Sequence, residues 1–229
     1  MNLPNAITAA RIVVAPLIAL LPLVGTPAAR LAAFVLYVVA AITDYWDGYL
    51  ARSRNLVTDL GRLLDPLADK LLLVATLVPM YLLQRGPLLE VGSATRFSEL
   101  ATFDPRFVTP GGLVGLPMWV LIVVIGREAF MTVFRQLAAR RGVVISAIGP
   151  AKWKTGFQSV WVGSAYCWFW VATLAARERW SGAWMDAFAL LNGVVGSLTM
   201  LGAVALTLYS LGLYLRRYGA LFRRPAPVR

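Results

Sequence analysis

The chain has no histidine and a single cysteine, Cys167. A disulfide within one chain is therefore impossible, and zinc sites built from cysteine and histidine are excluded. Catalysis by a Ser-His or Cys-His pair is excluded as well, because no imidazole is available. Acid–base chemistry must come mainly from carboxylates, with lysine or tyrosine as the remaining options.

Charge is scarce, and negative charge is the scarcer kind. Only 14% of the 229 residues are charged, whereas 59% are hydrophobic, which is typical of a polytopic membrane protein. Eleven acidic residues face 22 basic ones, for a net charge of +11. In so apolar a chain we interpret this excess as a bias towards anionic lipid headgroups. No basic stretch is interleaved with aromatics, so we expect no nucleic-acid partner.

Six segments are long and apolar enough to cross a membrane, which takes about 20 residues. They are approximately 8–25, 31–50, 61–84, 114–138, 153–176 and 187–214. We therefore predict an all-α integral membrane protein, a six-transmembrane-helix bundle that forms a single domain over residues 1–229. The first positive residue, Arg11, lies inside the first segment, so we do not expect a cleaved signal peptide.

Basic residues concentrate after the second and fourth segments and in the C-terminal tail. Positive charge marks the cytoplasmic side, so we predict a multi-pass protein of the cell inner (cytoplasmic) membrane with both termini in the cytoplasm. The connection 85–113 is the only long loop, and we expect it to be a partly ordered excursion on the outer face.

Five of the eleven acidic residues fall in one window between two apolar segments: Asp44, Asp47, Asp59, Asp65 and Asp69. Ionisable groups at membrane depth are costly, and their presence there indicates a functional site. Asp44 and Asp47 are three positions apart, and Asp65 and Asp69 are four apart, so each pair lies on one helix face. The short linker predicts that the two helices are antiparallel neighbours whose acidic faces converge.

Four carboxylates in a small volume repel one another unless cations neutralise them. Mg²⁺ and Mn²⁺ prefer such oxygen ligands, and two ions about 4 Å apart are a common arrangement for phosphoryl transfer. Gly48, Ala51 and Gly61 leave the helix surface open, and Arg52 is placed to contact a phosphate. The alternative is a set of interhelical polar pairs or solvated charges at helix ends, which explains one aspartate better than four.

The window reads D-x2-D-G-x2-A-R-x8-G-x3-D-x3-D, with eight fixed residues in 26 positions. This string resembles the signature of the CDP-alcohol phosphatidyltransferases, and the resemblance covers most of the chain. It implies an integral membrane enzyme, typically homodimeric, that uses Mg²⁺ or Mn²⁺. Such enzymes displace CMP from a CDP-linked lipid or alcohol with a second alcohol.

The resemblance also implies residue roles. Asp44, Asp47, Asp65 and Asp69 would hold two metal ions, and Asp69 would also be the general base. The cytidine diphosphate site would be lined by Gly48, Ala51, Arg52 and Gly61. Asn5 and Arg11 are further candidates for contact with the CDP-lipid, through its phosphates or its nucleotide.

The acceptor alcohol is indicated by a second set of residues. The opening Asn2–Arg11, the string Asp65–Lys70 and the segment from Arg127-Glu128 to Lys154-Thr155 resemble the phosphatidylglycerophosphate synthases of that family. Arg127 lies ~20 Å into its helix, which is the depth of Asp44. A lone arginine at that depth is costly unless it faces an anionic site.

A cationic pocket follows from this placement. Arg135 lies two turns beyond Arg127, and Lys152 and Lys154 lie at a helix N-terminus, where anions bind favourably. These four residues predict a site for a phosphorylated acceptor such as glycerol 3-phosphate. The alternative is that they are snorkelling residues that obey the positive-inside rule.

We thus predict transfer of the phosphatidyl group from CDP-diacylglycerol to glycerol 3-phosphate, giving phosphatidylglycerophosphate and CMP, among membrane lipids. Within the family, an inositol-phosphate-using synthase, a cardiolipin-type enzyme or an aminoalcohol or serine enzyme remains an alternative. Another class is a membrane cation transporter or channel. The string Gly48-x-x-Ala51-Arg52 favours a nucleotide site over a cation path.

Overall fold

A computed structural model describes residues 3–53, 59–85, 89–90, 103–146 and 149–219. The helices are α1 (Leu3–Leu20), α2 (Pro27–Ser53), α3 (Asp59–Gln84), α4 (Met118–Arg140), α5 (Gly149–Glu178) and α6 (Ala183–Tyr218), and the strands are β1 (Leu89–Glu90), β2 (Phe107–Thr109) and β3 (Gly112–Val114). The predicted all-α architecture is confirmed, and the described residues also form a small three-stranded antiparallel sheet.

Five of these helices, all except α4, are long and apolar enough to cross a membrane. Their outward surface is apolar: Val13, Leu191 and Leu198 are each more than 60% exposed. Large apolar side chains are normally buried in water-soluble proteins, so this surface fits contact with lipid. The fold is that of an integral membrane protein.

Helix α4 is a regular helix of 23 residues, but it carries Arg127, Glu128, Arg135 and Arg140. Because of these charges, α4 is not among the helices that are apolar enough to cross a membrane. Its inner face packs Val124, Met131 and Phe134 into the protein. The helix predicted at 114–138 is therefore present, as α4, and it carries a charged side.

Helix α1 packs extensively against both α2 and α3. Direct contact between α2 and α3 is slight within the described residues, and their linker at 54–58 lies outside them. The expected convergence of the α2 and α3 faces is visible at Arg11 of α1, which pairs with Asp44 of α2 and Asp69 of α3. Whether the two helices also touch directly at their acidic ends stays a prediction, because those ends are only partly described.

The core lies between α5 and its neighbours. Trp161, Tyr166 and Phe169 of α5 are all at most 1% exposed. The hydroxyl of Tyr166 lies 3.2 Å from the carbonyl oxygen of Ile18 in α1 and 3.3 Å from that of Ala75 in α3. One buried hydroxyl of α5 thus contacts backbone carbonyl oxygens of α1 and α3, and so links the three helices.

A β-hairpin formed by β2 and β3 occupies the end of the 85–113 connection. Strand β2 pairs with β3 in antiparallel register, and the turn between them contains Pro110 and Gly111. Gly112 has φ +119°, which L side chains rarely adopt. The expected ordering of this loop is confirmed for residues 103–113. Residues 86–88 and 91–102 lie outside the described part.

The hairpin rests on α6 at two glycines. A Cβ atom built on Gly193 would lie 1.9 Å from the carbonyl oxygen of Val108, and one on Gly196 would lie 2.4 Å from the ring of Phe107. No side chain fits between α6 and the hairpin at these positions. The close approach of backbone to helix therefore depends on glycine.

We expect Gly193→Ala to displace the hairpin and to lower the apparent melting temperature of the detergent-purified protein by several degrees. Overpacking of this kind costs about 1–3 kcal/mol. The matched control is Gly212→Ala in the same helix, where a Cβ meets nothing within 4 Å. That variant should melt at or slightly above the wild-type temperature. Equal melting temperatures for the two variants would contradict this account of the packing.

Candidate functional site

Two of the predicted metal-site carboxylates meet at one arginine. The Arg11 Nη1 atom forms ion pairs with Asp44 Oδ1 and, at 3.5 Å, with Asp69 Oδ1. The side chain of Arg11 is 4% exposed, whereas those of Asp44 and Asp69 are 43% and 60% exposed. The guanidinium is therefore buried beneath two carboxylates that remain accessible.

The local sequence explains this arrangement. Asn5, Thr8 and Arg11 recur at intervals of three, so they share one face of α1, and all three are buried. That face is directed at α2 and α3, where it places a permanent positive charge between two aspartates. Two carboxylates close together repel each other, and the guanidinium offsets that repulsion. Sequence analysis had assigned Asn5 and Arg11 to the CDP-lipid instead.

The remaining members of the acidic motif are only partly described. Asp47, Gly48, Ala51 and Arg52 belong to the last two turns of α2, and Asp65 belongs to α3, but their side chains lie outside the described part. Gly61 is buried in the first turn of α3. Among the described side chains no group of three or more metal-ligating residues is found, a search that leaves out Asp47 and Asp65. The four-carboxylate site stays a prediction.

A cavity of about 360 Å³ opens beside Asp44 and Asp69. Its walls come from α2, α3, α4 and α5. The polar lining residues are Tyr37, Asp44, Asp69, Lys70, Thr76, Glu128, Thr132, Arg135, Lys154, Thr155, Gln158 and Ser159. The acidic pair and two of the four predicted acceptor-site cations thus line the same cavity.

The cationic side of the cavity is organised by Glu128. Its Oε1 atom accepts hydrogen bonds from Arg127 Nη1, at 2.7 Å, and from Lys154 Nζ. The Nη2 atom of Arg127 also donates to Ser210 Oγ of α6, at 3.1 Å. Arg127 is buried and does not line the cavity, so it lies behind Glu128. Its predicted contact with an acceptor phosphate would have to be indirect.

The other predicted cations are placed differently. Arg135 lines the cavity, and its Nη2 atom donates to the hydroxyl of Tyr214 at 3.4 Å. Lys154 lines the cavity as well, in the second turn of α5, and its side chain is 7% exposed. The predicted position of these lysines at a helix N-terminus is confirmed, since α5 begins at Gly149. The side chain of Lys152 lies outside the described part.

Several lining residues were missed by sequence reasoning. Lys70 had no assigned role, although it lines the cavity next to Asp69. Thr132 is four positions after Glu128, and Gln158 is four positions after Lys154, so helical periodicity would have found both. Glu128 also lines the cavity, where it forms an ion pair with Lys154.

The oxygen ligands at this site fit a hard divalent cation. Asp44 and Asp69 present accessible carboxylate oxygens on the cavity wall, and no soft ligand lies among the described lining residues. Chemically, the cavity offers carboxylates that can accept a proton or hold a cation, opposite cations that can bind an anion. It can therefore bring a hydroxyl and a phosphate-bearing group together.

Several proteins are similar to this chain in sequence. A protein of Bacillus subtilis named CDP-diacylglycerol–glycerol-3-phosphate 3-phosphatidyltransferase is 35% identical over 175 residues, which cover 71% of this chain and 75% of that protein. A protein of the same name from Rickettsia bellii is 49% identical over 77 residues, 34% of this chain and 42% of that protein. A probable phosphatidylglycerophosphate synthase of Mycobacterium tuberculosis is 32% identical over 165 residues, 71% of this chain and 64% of that protein.

The family profile covers more of the chain than any of these pairwise matches. The sequence profile of CDP-alcohol phosphatidyltransferases matches residues 1–209, which include all of α1–α5, most of α6 and every residue that lines the cavity. The chain belongs to the CDP-alcohol phosphatidyltransferase family.

Proposed function

We propose that the protein transfers the phosphatidyl group of CDP-diacylglycerol to a hydroxyl of glycerol 3-phosphate, releasing CMP. The observation that carries this is the shared cavity, which is lined by Asp44 of α2 and Asp69 of α3 together with Arg135 of α4 and Lys154 of α5. A phosphoryl transfer to a phosphorylated alcohol needs both sides at once. The names of the similar proteins agree with this reaction.

Asp69 is the group that takes the proton from the attacking hydroxyl. Its side chain is the more exposed of the two described aspartates, and it borders the cavity. Arg11 holds Asp69 and Asp44 towards the same point, so the base and its neighbour are positioned before substrate arrives. The resulting alkoxide attacks the lipid-side phosphorus, and the bond to CMP breaks.

Asp44, Asp47, Asp65 and Asp69 are proposed to hold two divalent cations, Mg²⁺ or Mn²⁺. When bound, such ions would offset the negative charge of the diphosphate. Gly48, Ala51, Arg52 and Gly61 are proposed to line the cytidine diphosphate site, on the motif they share with the family, with Asn5 and Arg11 beneath it. For Arg11 the described contacts favour a positioning role over direct lipid contact.

The acceptor phosphate is proposed to bind Arg135 and Lys154 directly, with Lys152 beside them. Lys70, on the opposite wall, adds a positive charge near the reacting centre. Arg127 acts from behind Glu128 rather than on the phosphate itself. Charge-assisted hydrogen bonds of this kind are the strong ones in such pockets.

The membrane arrangement is part of the proposal. We propose six spans, with α4 as the sixth, because its 23 residues reach about 35 Å and its charged side faces the cavity. Both termini and the cavity mouth would then face the cytoplasm of an inner-membrane protein. The single domain over residues 1–229 is proposed to function as a homodimer, as the family resemblance implies.

The reaction itself is tested by an acceptor panel. Purified protein with CDP-diacylglycerol should release CMP fastest with glycerol 3-phosphate, compared with inositol phosphate, phosphatidylglycerol and serine. EDTA should stop the release, and Mg²⁺ or Mn²⁺ should restore it. A preference for inositol phosphate would reassign the acceptor, and no CMP with any acceptor would refute the enzymatic function.

Asp69→Asn should lower the rate of CMP release by at least 10²-fold, because the amide cannot accept the proton of the acceptor hydroxyl. Binding of CDP-diacylglycerol should be largely retained. The matched control is Asp186→Asn in the first turn of α6, away from the cavity, which should keep wild-type turnover. Near-normal turnover in Asp69→Asn would rule out its role as the base.

Arg135→Gln should raise the KM for glycerol 3-phosphate by roughly 10- to 100-fold, the value of a lost charge-assisted hydrogen bond. The KM for CDP-diacylglycerol should stay within about twofold. Arg140→Gln, an exposed position in the last turn of the same helix, serves as the control and should change neither constant. An equal rise in both KM values would speak against an acceptor-phosphate role.

A further inference from the structure

One group in the cavity is not used by the mechanism above: the second carboxylate oxygen of Glu128. The Oε1 atom takes both ion pairs, from Arg127 and from Lys154. The Oε2 atom accepts no hydrogen bond from any residue that the structure describes. The side chain is 27% exposed and borders the cavity. A fixed anionic acceptor therefore faces the place where the acceptor alcohol binds.

Two cations, Arg127 and Lys154, hold the Glu128 carboxylate through its Oε1 atom. Arg127 is anchored at its other end by Ser210 of α6, and Lys154 is anchored on α5. Arg127 and Arg135 both repel the ammonium of Lys154, while Glu128 attracts it. Glu128 is thus a negative group among Arg127, Arg135 and Lys154, and removing it would leave those cations in mutual repulsion.

An anion at this position selects the chemistry of its ligand. A phosphate would be repelled by Oε2 and attracted by the cations that line the cavity, Arg135 and Lys154. A hydroxyl, in contrast, can donate to Oε2, and a hydrogen bond to a charged acceptor contributes more than one between neutral groups. The position suits an alcohol group that is neither the phosphate nor the attacking hydroxyl.

We propose that Glu128 is a specificity-determining residue that binds the non-reacting hydroxyl of the polyol phosphate acceptor. The inference rests on the proposed function, since it assumes a phosphorylated polyol in this cavity. Glycerol 3-phosphate has three polar groups, and we assign each of them a partner in the cavity. Arg135 and Lys154 take the phosphate, Asp69 the primary hydroxyl, and Glu128 the hydroxyl of the middle carbon.

The consequence is discrimination against acceptors that lack the middle hydroxyl. A site built to pair a substrate hydroxyl rejects the analogue without it, because the protein group is left desolvated and unpaired. Here that group is a carboxylate whose two cation partners already occupy its other oxygen. Binding of the analogue removes water from Oε2 without replacing the lost hydrogen bond.

The test compares kcat/KM for two acceptors, glycerol 3-phosphate and 3-hydroxypropyl phosphate, which lacks the middle hydroxyl but keeps the phosphate and the primary hydroxyl. CMP release is the readout. We expect the wild type to prefer glycerol 3-phosphate by roughly 10- to 100-fold. In Glu128→Gln the amide oxygen stays with the two cations and the amide nitrogen faces the cavity. That preference should then fall below about threefold.

The ratio between two acceptors does not depend on the fraction of folded enzyme, so it can be read even in a weakly stable variant. Glu128→Ala removes the carboxylate entirely and should also lose the preference, while Glu128→Asp should retain part of it. Glu178→Gln, at the exposed end of α5, is the matched control and should keep both the ratio and the rate.

A purely structural role for Glu128 would lower kcat/KM for both acceptors by the same factor and leave the ratio unchanged, which would overturn the proposal. A wild-type ratio near one would overturn it without any variant. These outcomes differ from failure of the proposed function, in which the wild type would release no CMP with either acceptor, and the inference would fall with it.

Discussion

The ion pairs of Arg11 with Asp44 and Asp69 are the interaction on which the site depends. They join three helices at one buried guanidinium. A buried arginine without partners would be strongly unfavourable, and so would two adjacent carboxylates without a cation. Each group therefore makes the other tolerable inside an apolar bundle. Because the guanidinium lies beneath and the carboxylates remain exposed, the pairing leaves oxygen atoms available to the cavity. Asp44 and Asp69 thus both pair with Arg11 and line the cavity.

Helix α4 likewise carries charges into the apolar bundle, but here most of them are positive. It brings Arg127 and Arg135 to the depth of the acidic site, and α5 adds Lys154. Glu128 accepts from two of these cations, and Tyr214 accepts from the third while its ring lies 5.7 Å from the guanidinium carbon. These contacts explain why a helix too charged to count as an apolar span can still be part of the bundle. Arg127, Glu128 and Arg135 have partners within the protein rather than being presented unpaired to lipid.

The sequence predicted the helices well, because apolar runs of spanning length have few alternatives in a membrane. It also predicted that the residues around positions 44 and 69 converge, since helical spacing fixes which side chains share a face. The sequence did not predict that α1 packs against both α2 and α3. Which helices contact one another is decided by side-chain packing rather than by the length of the linkers. The hairpin at Phe107–Val114 was missed although Pro110-Gly111 is a turn signal, since its strands are only three residues long. The double pairing of Glu128 depends on the relative rotation of α4 and α5, which no periodicity specifies.

The cavity joins two opposite electrostatic environments, and that separation decides how an acceptor can lie in it. A molecule with a phosphate at one end and a hydroxyl at the other has one favourable orientation, with its phosphate at Arg135 and Lys154 and its hydroxyl towards Asp69. The reversed orientation would bring a phosphate against carboxylates and is disfavoured by charge repulsion. Orientation is therefore imposed by the protein before any proton moves, which is where positioning contributes to rate. The two carboxylates of the cavity therefore have different roles: Asp69 faces the group that must lose its proton, whereas Glu128 is paired with Arg127 and Lys154 and can accept a hydrogen bond through its other oxygen.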